Sequence, residues 1–94
     1  PRFPVVVRDV ALVVDEGLSA KGVEDTIRGY SPLVKDVALF DVYVGEQIPR
    51  GKKSLAYRIT YQSLMKTLTD EEVDSAQAGI LERLARELGA GLRG

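Results

Sequence analysis

Val34-Lys35-Asp36-Val37-Ala38-Leu39-Phe40-Asp41-Val42-Tyr43-Val44 and Ser54-Leu55-Ala56-Tyr57-Arg58-Ile59-Thr60-Tyr61-Gln62 flank a loop, Gly45 to Gly51, that carries Pro49. Both runs alternate as strands do, side chains pointing to opposite faces with a period of two. In the first run one set is Val37, Leu39, Asp41 and Tyr43, ending in an acid and an aromatic. The other, Ala38, Phe40, Val42 and Val44, is wholly apolar and is expected to face a core. In the second, Leu55, Tyr57, Ile59 and Tyr61 alternate with Ser54, Ala56, Arg58, Thr60 and Gln62. Paired as a hairpin, the two strands are expected to gather Asp41, Tyr43, Ser54 and Arg58 on one polar face.

Outward from the hairpin, each side carries a helix. On the C-terminal side, Thr69-Asp70-Glu71-Glu72 reads as a capping box, with acids at the positive end of the helix dipole. Val73, Ala76, Ile80, Leu84 and Leu88 then form an apolar stripe, and Gly89 stands where a helix C-cap is expected. On the N-terminal side, Ser19 can cap a helix with Ala20, Val23, Ile27 and Tyr30 on its inner face, stopped by Gly29 and Ser31-Pro32.

The outermost pieces are strands. Val5 to Val14 is Val-rich, and Asp15-Glu16-Gly17 ends it. Residues 1–7 carry the lead-in, with Phe3 kept extended by Pro4. Ala90 to Arg93 can form a short closing strand. The order strand, helix, strand, strand, helix, strand predicts an α+β, ferredoxin-like βαββαβ domain over 1–94: a four-stranded antiparallel sheet with two helices on one face.

Composition removes whole classes of chemistry. The 94 residues contain no Cys, His or Trp, and no Asn. Disulfides, thiolate nucleophiles and zinc-thiolate sites are therefore impossible, and the commonest general base is missing. Even the acid-rich stretches sit at helix N-termini, where capping explains them. No catalytic or metal site is expected in the domain. No window of ~18 apolar residues could cross a bilayer, and no membrane partner is expected. The opening Pro1-Arg2-Phe3-Pro4 lacks the pattern of a signal peptide and suggests a segment of a longer chain.

Two motifs fail on context. Gly89-Ala90-Gly91-Leu92-Arg93-Gly94 matches the dinucleotide fingerprint in letters, but it follows a helix instead of opening one. Gly45 to Lys53 has five residues between its glycines where a phosphate loop has four, and Lys53 stands where Ser or Thr must hold magnesium. Between Gln47 and Thr69 lie five cations (Arg50, Lys52, Lys53, Arg58, Lys66) and no acid. That edge can steer phosphate or can simply be a solvated face. A net charge of -1 argues against strong nucleic-acid binding by this domain alone.

Several pieces in order resemble one family. They are Phe3-Pro4; Arg8-Asp9-Val10-Ala11-Leu12-Val13-Val14; Leu39-Phe40-Asp41-Val42-Tyr43-Val44-Gly45; Gly51-Lys52-Lys53-Ser54-Leu55-Ala56-Tyr57-Arg58; Thr67-Leu68-Thr69-Asp70-Glu71-Glu72-Val73; and Leu92-Arg93. The chain is similar throughout to the ferredoxin-fold anticodon-binding domains, which close the beta subunit of bacterial phenylalanine–tRNA ligase. The resemblance implies a cytoplasmic α2β2 parent that charges phenylalanine tRNA with ATP and magnesium and has its catalytic site in the alpha subunit. It implies that this domain holds the anticodon through Asp41, Tyr43 and Ser54, with Val10 beside them. Arg50, Lys52, Lys53 and Arg58 would steer the phosphates. A different class, a regulatory or subunit-interface domain binding a small ligand or partner, is the alternative.

Overall fold

The structure is a computed structural model and describes residues 2–93. Its elements are β1 (Val6–Asp15), α1 (Ala20–Arg28), β2 (Val34–Tyr43), β3 (Lys52–Tyr61), α2 (Asp70–Leu88) and β4 (Gly91–Leu92). The sheet runs β2-β3-β1-β4 with every neighbouring pair antiparallel. This is the expected ferredoxin-like order.

One face of the sheet carries Val10, Leu12 and Val14 from β1 and Leu55, Tyr57, Ile59 and Tyr61 from β3, all buried. They meet Val23 and Ile27 of α1 and Val73, Ile80 and Leu84 of α2 in one core. The two buried tyrosines keep their hydroxyls partnered: Tyr57 donates to the Ala20 carbonyl at 2.8 Å and Tyr61 to Gln77 Oε1 at 2.5 Å. Burial pushes the pKa of each phenol up to about 12.

The helix ends follow their local chemistry. Ser19 Oγ accepts from the Gly22 N–H at 3.0 Å and starts α1. At α2, Thr69 Oγ1 accepts from the Glu72 N–H while Glu72 Oε1 accepts from the Thr69 N–H, each at 3.1 Å. Lys66 beside Glu72, with the Thr69 N–H, holds that carboxyl below its ordinary range. Gly89 ends the helix in the left-handed region at φ 66°. Inside α2, Gly79 makes room for a neighbour. A Cβ there would stand 1.7 Å from Tyr30 Oη, so Tyr30 packs where only glycine leaves space.

The boundaries of the strands shift by a residue or two. β1 runs Val6–Asp15 instead of Val5–Val14, β3 begins at Lys52, and β4 is only Gly91–Leu92. The last residue of the failed dinucleotide motif, Gly94, lies outside the described residues.

A larger correction concerns β2. Its pairing with β3 is irregular between Leu39 and Asp41, so Leu39 faces Tyr57 while Asp41 faces Ala56. One extra residue at a bulge exchanges the two faces of everything beyond it. Val37, ahead of the bulge, is in the core, whereas Phe40 at the bulge and Val42 and Val44 beyond it are 53%, 54% and 60% exposed. β2 is also the sheet's edge strand, where Val42, although opposite Leu55, stays open to solvent.

Candidate nucleic-acid interface

The face of the sheet turned away from the helices is built in rows, set by register. Tyr43 lies opposite Ser54, and Ser54's other neighbour is Val13, itself opposite Gly91. The next row is Asp41, Ala56 and Ala11; beyond it come Ala38, Arg58 and Asp9. Rows are two residues apart, about 7 Å along the strands. Asp41, Tyr43, Ser54 and Arg58 thus share one face as expected. They do so because the bulge moves Asp41 and Tyr43 away from the side that Val37 occupies.

Val10 does not join them. It is 7% exposed and lies opposite Tyr57 within the core. Strand parity explains the miss: the β1 residue on the open face is its neighbour Ala11, which faces Ala56. Alanine at both positions leaves a shallow, small-residue floor between the larger groups.

Tyr43 is held from two sides. A Cβ on Gly45 would stand 2.4 Å from Tyr43 Oη, so the ring lies across that glycine. Over the ring, 4.8 Å from its centroid, is the guanidinium of Arg93. Arg93 comes from the far edge of the sheet. Its backbone N–H donates to the Ala11 carbonyl at 3.0 Å, and its guanidinium also donates to Gln47 Oε1 at 3.0 Å. The Arg93–Tyr43 stack therefore spans the sheet above the small residues, and Ser54 is only 3% exposed.

Asp41 is the contrary case. It is exposed, and among the described residues nothing donates to its carboxylate. An ionised carboxylate in that state is a vacant acceptor beside an aromatic ring.

The cations divide in the same way. Arg58 donates to both oxygens of Asp9 at 2.8 and 3.0 Å, which holds the Asp9 carboxyl below its ordinary range and raises the guanidinium's own pKa. Lys52 pairs with Asp15 at 2.6 Å and Lys66 with Glu72 at 2.6 Å. Arg50 and Lys53 have no ion pair among the described residues. Lys53 lies opposite Val14, at the hairpin end of the sheet. The five-cation edge is therefore partly neutralised, by Asp9 and Asp15 from far away in sequence and by Glu72 just beyond it.

Phe40, Gly45, Ala11 and Arg93 belong to this face and were not singled out by sequence reasoning. Among the described residues, no group of three or more acids is placed to hold a metal ion, and no helix is long and apolar enough to cross a membrane.

Comparison with known proteins gives one consistent answer. The profile of the ferredoxin-fold anticodon binding domain matches residues 1–93. The chain is 52% identical over 95 residues to the phenylalanine–tRNA ligase beta subunit of Geobacillus kaustophilus, aligning over 100% of its own length. It is 50% identical over 94 residues to that of Anaeromyxobacter dehalogenans, again over 100% of the chain. The match to that of Clostridium acetobutylicum is 43% over 94 residues and covers 99% of the chain. The chain spans 12% of the length of each of these relatives.

Proposed function

The chain belongs to the ferredoxin-fold anticodon-binding domain family, and on that premise we propose that its open sheet face holds the anticodon of phenylalanine tRNA. It does so as one domain of the beta subunit of a phenylalanine–tRNA ligase. That ligase is a cytoplasmic α2β2 enzyme using ATP and magnesium, with its chemistry in the alpha subunit. This domain contributes binding alone.

The observation that carries the reading is Asp41. A strand disfavours an exposed aspartate, yet here its carboxylate stands without a donor one row from the ring of Tyr43. An unpaired base offers a flat face and an edge bearing N–H donors, and this pair matches both. Tyr43 stacks on the face, worth ~1–3 kcal/mol per base. Asp41 accepts from the edge, which favours bases that present donors. Ser54, opposite Tyr43 and 3% exposed beneath the Arg93–Tyr43 stack, offers a hydroxyl that can donate or accept once Arg93 is displaced.

A base arriving at Tyr43 takes the place of the Arg93 guanidinium, which leaves Gln47 and stays within reach of the RNA. Arg50 and Lys53 draw in the phosphates, with Lys52 and Arg58 contributing less because Asp15 and Asp9 already partner them.

The test is to add the anticodon stem-loop of phenylalanine tRNA to the isotopically labelled chain. Amide shifts gathered at Ala11, Asp41 to Gly45, Ser54 to Ala56 and Arg93 support the proposal. Shifts confined to α1 and α2 contradict it.

A further inference from the structure

We propose that Phe40 and Arg58, braced by Asp9, form a second stacking platform for another unpaired base of the same RNA loop. This rests on the anticodon reading above and extends it to a residue that reading does not use.

The bulge in β2 falls at Phe40, between Leu39 and Asp41, and the residue is 53% exposed. The Arg58 guanidinium lies over that ring, 5.2 Å from its centroid. Two hydrogen bonds to Asp9, at 2.8 and 3.0 Å, fix the guanidinium in position. An exposed pair of this kind contributes little to folding, so stability does not account for an aromatic at this position.

Its chemistry suits a base better than a phosphate. Asp9 occupies N–H donors along one edge of the Arg58 guanidinium and offsets its charge, which weakens any claim on phosphate oxygens. The faces of the guanidinium plane are not used by that pairing. One lies toward Phe40, and the other is a flat cationic surface of the sort on which unpaired bases stack. Because the carboxylate already orients the plane, little side-chain freedom remains to be lost on binding.

The spacing fits a splayed single strand. Arg58 lies four residues along β3 from Ser54, the partner of Tyr43, or about 13 Å at strand rise. That is several times the roughly 3.4 Å between stacked bases of one strand, so bases at the two platforms cannot stack on each other. Asp41 and the alanine floor lie between them.

The experiment measures kcat/KM for charging by the whole ligase, with intact tRNA and tRNAs abasic at one anticodon-loop position at a time. Phe40→Ala and Phe40→Leu should each lower it on the order of tenfold with intact tRNA, and Phe40→Trp should preserve it, since an aromatic face beneath the Arg58 guanidinium is what backs the platform. The Phe40→Ala loss should vanish at one abasic position, different from the position at which the Tyr43→Ala loss vanishes. If Phe40→Leu retains full charging, or the Phe40→Ala loss persists at every abasic position, Phe40 acts through packing and the proposal is overturned. If Tyr43→Ala is impaired and Phe40→Ala is not, the second platform fails while the first stands. If neither variant is impaired, the anticodon reading falls and this proposal with it.

Discussion

Gly45 and Tyr43 compete for the same space: a Cβ at position 45 would lie 2.4 Å from Tyr43 Oη and 2.7 Å from its Cζ. Positive φ does not explain this glycine, because among the described residues only Gly51 and Gly89 have it. Close approach does. The ring of Tyr43 lies across the chain just after β2, with Arg93 on it, and its orientation depends on the missing side chain.

Gly45→Ala should therefore damage recognition more than folding. The added methyl displaces the ring, and tRNA use should fall by up to the ~1–3 kcal/mol that a stacked base is worth. The denaturation midpoint should change little, since the backbone at 45 suits alanine. Paired charging assays and denaturant melts on the same variant check this. A large stability loss with normal charging would place the role of Gly45 in the hairpin instead.

Thr69→Ala tests the opposite behaviour. It removes one half of the reciprocal bonds at the start of α2 and should cost ~0.5–2 kcal/mol in a denaturant melt. Thr69 belongs to the helical layer, so tRNA affinity of the folded protein should stay within error.

Alkaline stability should show the two buried phenols. Each has a folded pKa of about 12 against an ordinary 10.0, so the folded state resists an ionisation that the unfolded chain accepts. Their contribution is complete below pH 10 and is lost as pH rises from about 10 toward 12. Melts across that window should fall in midpoint, with the phenolate absorbance of these residues appearing as the chain unfolds. Tyr57→Phe, although it loses the bond to the Ala20 carbonyl, should flatten part of the fall.

Charge should act without base preference. Neutralising Arg50 and Lys53 together should weaken binding to cognate and anticodon-variant tRNAs equally. It should also flatten the salt dependence by roughly 0.7 per cation that meets a phosphate. Lys52→Ala should do less, since Asp15 already holds that ammonium at 2.6 Å. Titrations at several salt concentrations separate these cases.

Much of this molecule was legible in its sequence, and the reasons are local. Capping at Ser19 and Thr69, the glycine stop at 89 and the alternation in β3 depend on residues close together along the chain. Those readings match the structure to within a residue or two at most boundaries. The faces of β2 were not legible, because a bulge leaves no mark in the alternation that it interrupts. Ala38, Phe40, Val42 and Val44 look like a core set for that reason; Val10 is named by the resemblance alone, and the unbroken β1 register turns its neighbour Ala11 to the open face instead. Arg93 over Tyr43, Asp9 under Arg58 and Tyr30 against Gly79 join residues tens of positions apart, which no spacing rule connects. Asp41 and Tyr43 stand out in the sequence because an acid and an aromatic ending an apolar strand are out of place there; the binding role given to them and to Ser54 is what the family resemblance implies.

The most direct measurement is charging of phenylalanine tRNA and its single-base anticodon variants by the whole ligase carrying Tyr43→Ala or Asp41→Ala. Tyr43→Ala should cost roughly 1–3 kcal/mol in tRNA use, with Tyr43→Phe costing much less because the ring carries the stacking. Asp41→Ala should instead erode discrimination at one anticodon base while leaving the others distinguished. If both alanine variants charge every tRNA as the unaltered enzyme does, and only subunit assembly suffers, the open face is a protein interface and the anticodon account is wrong.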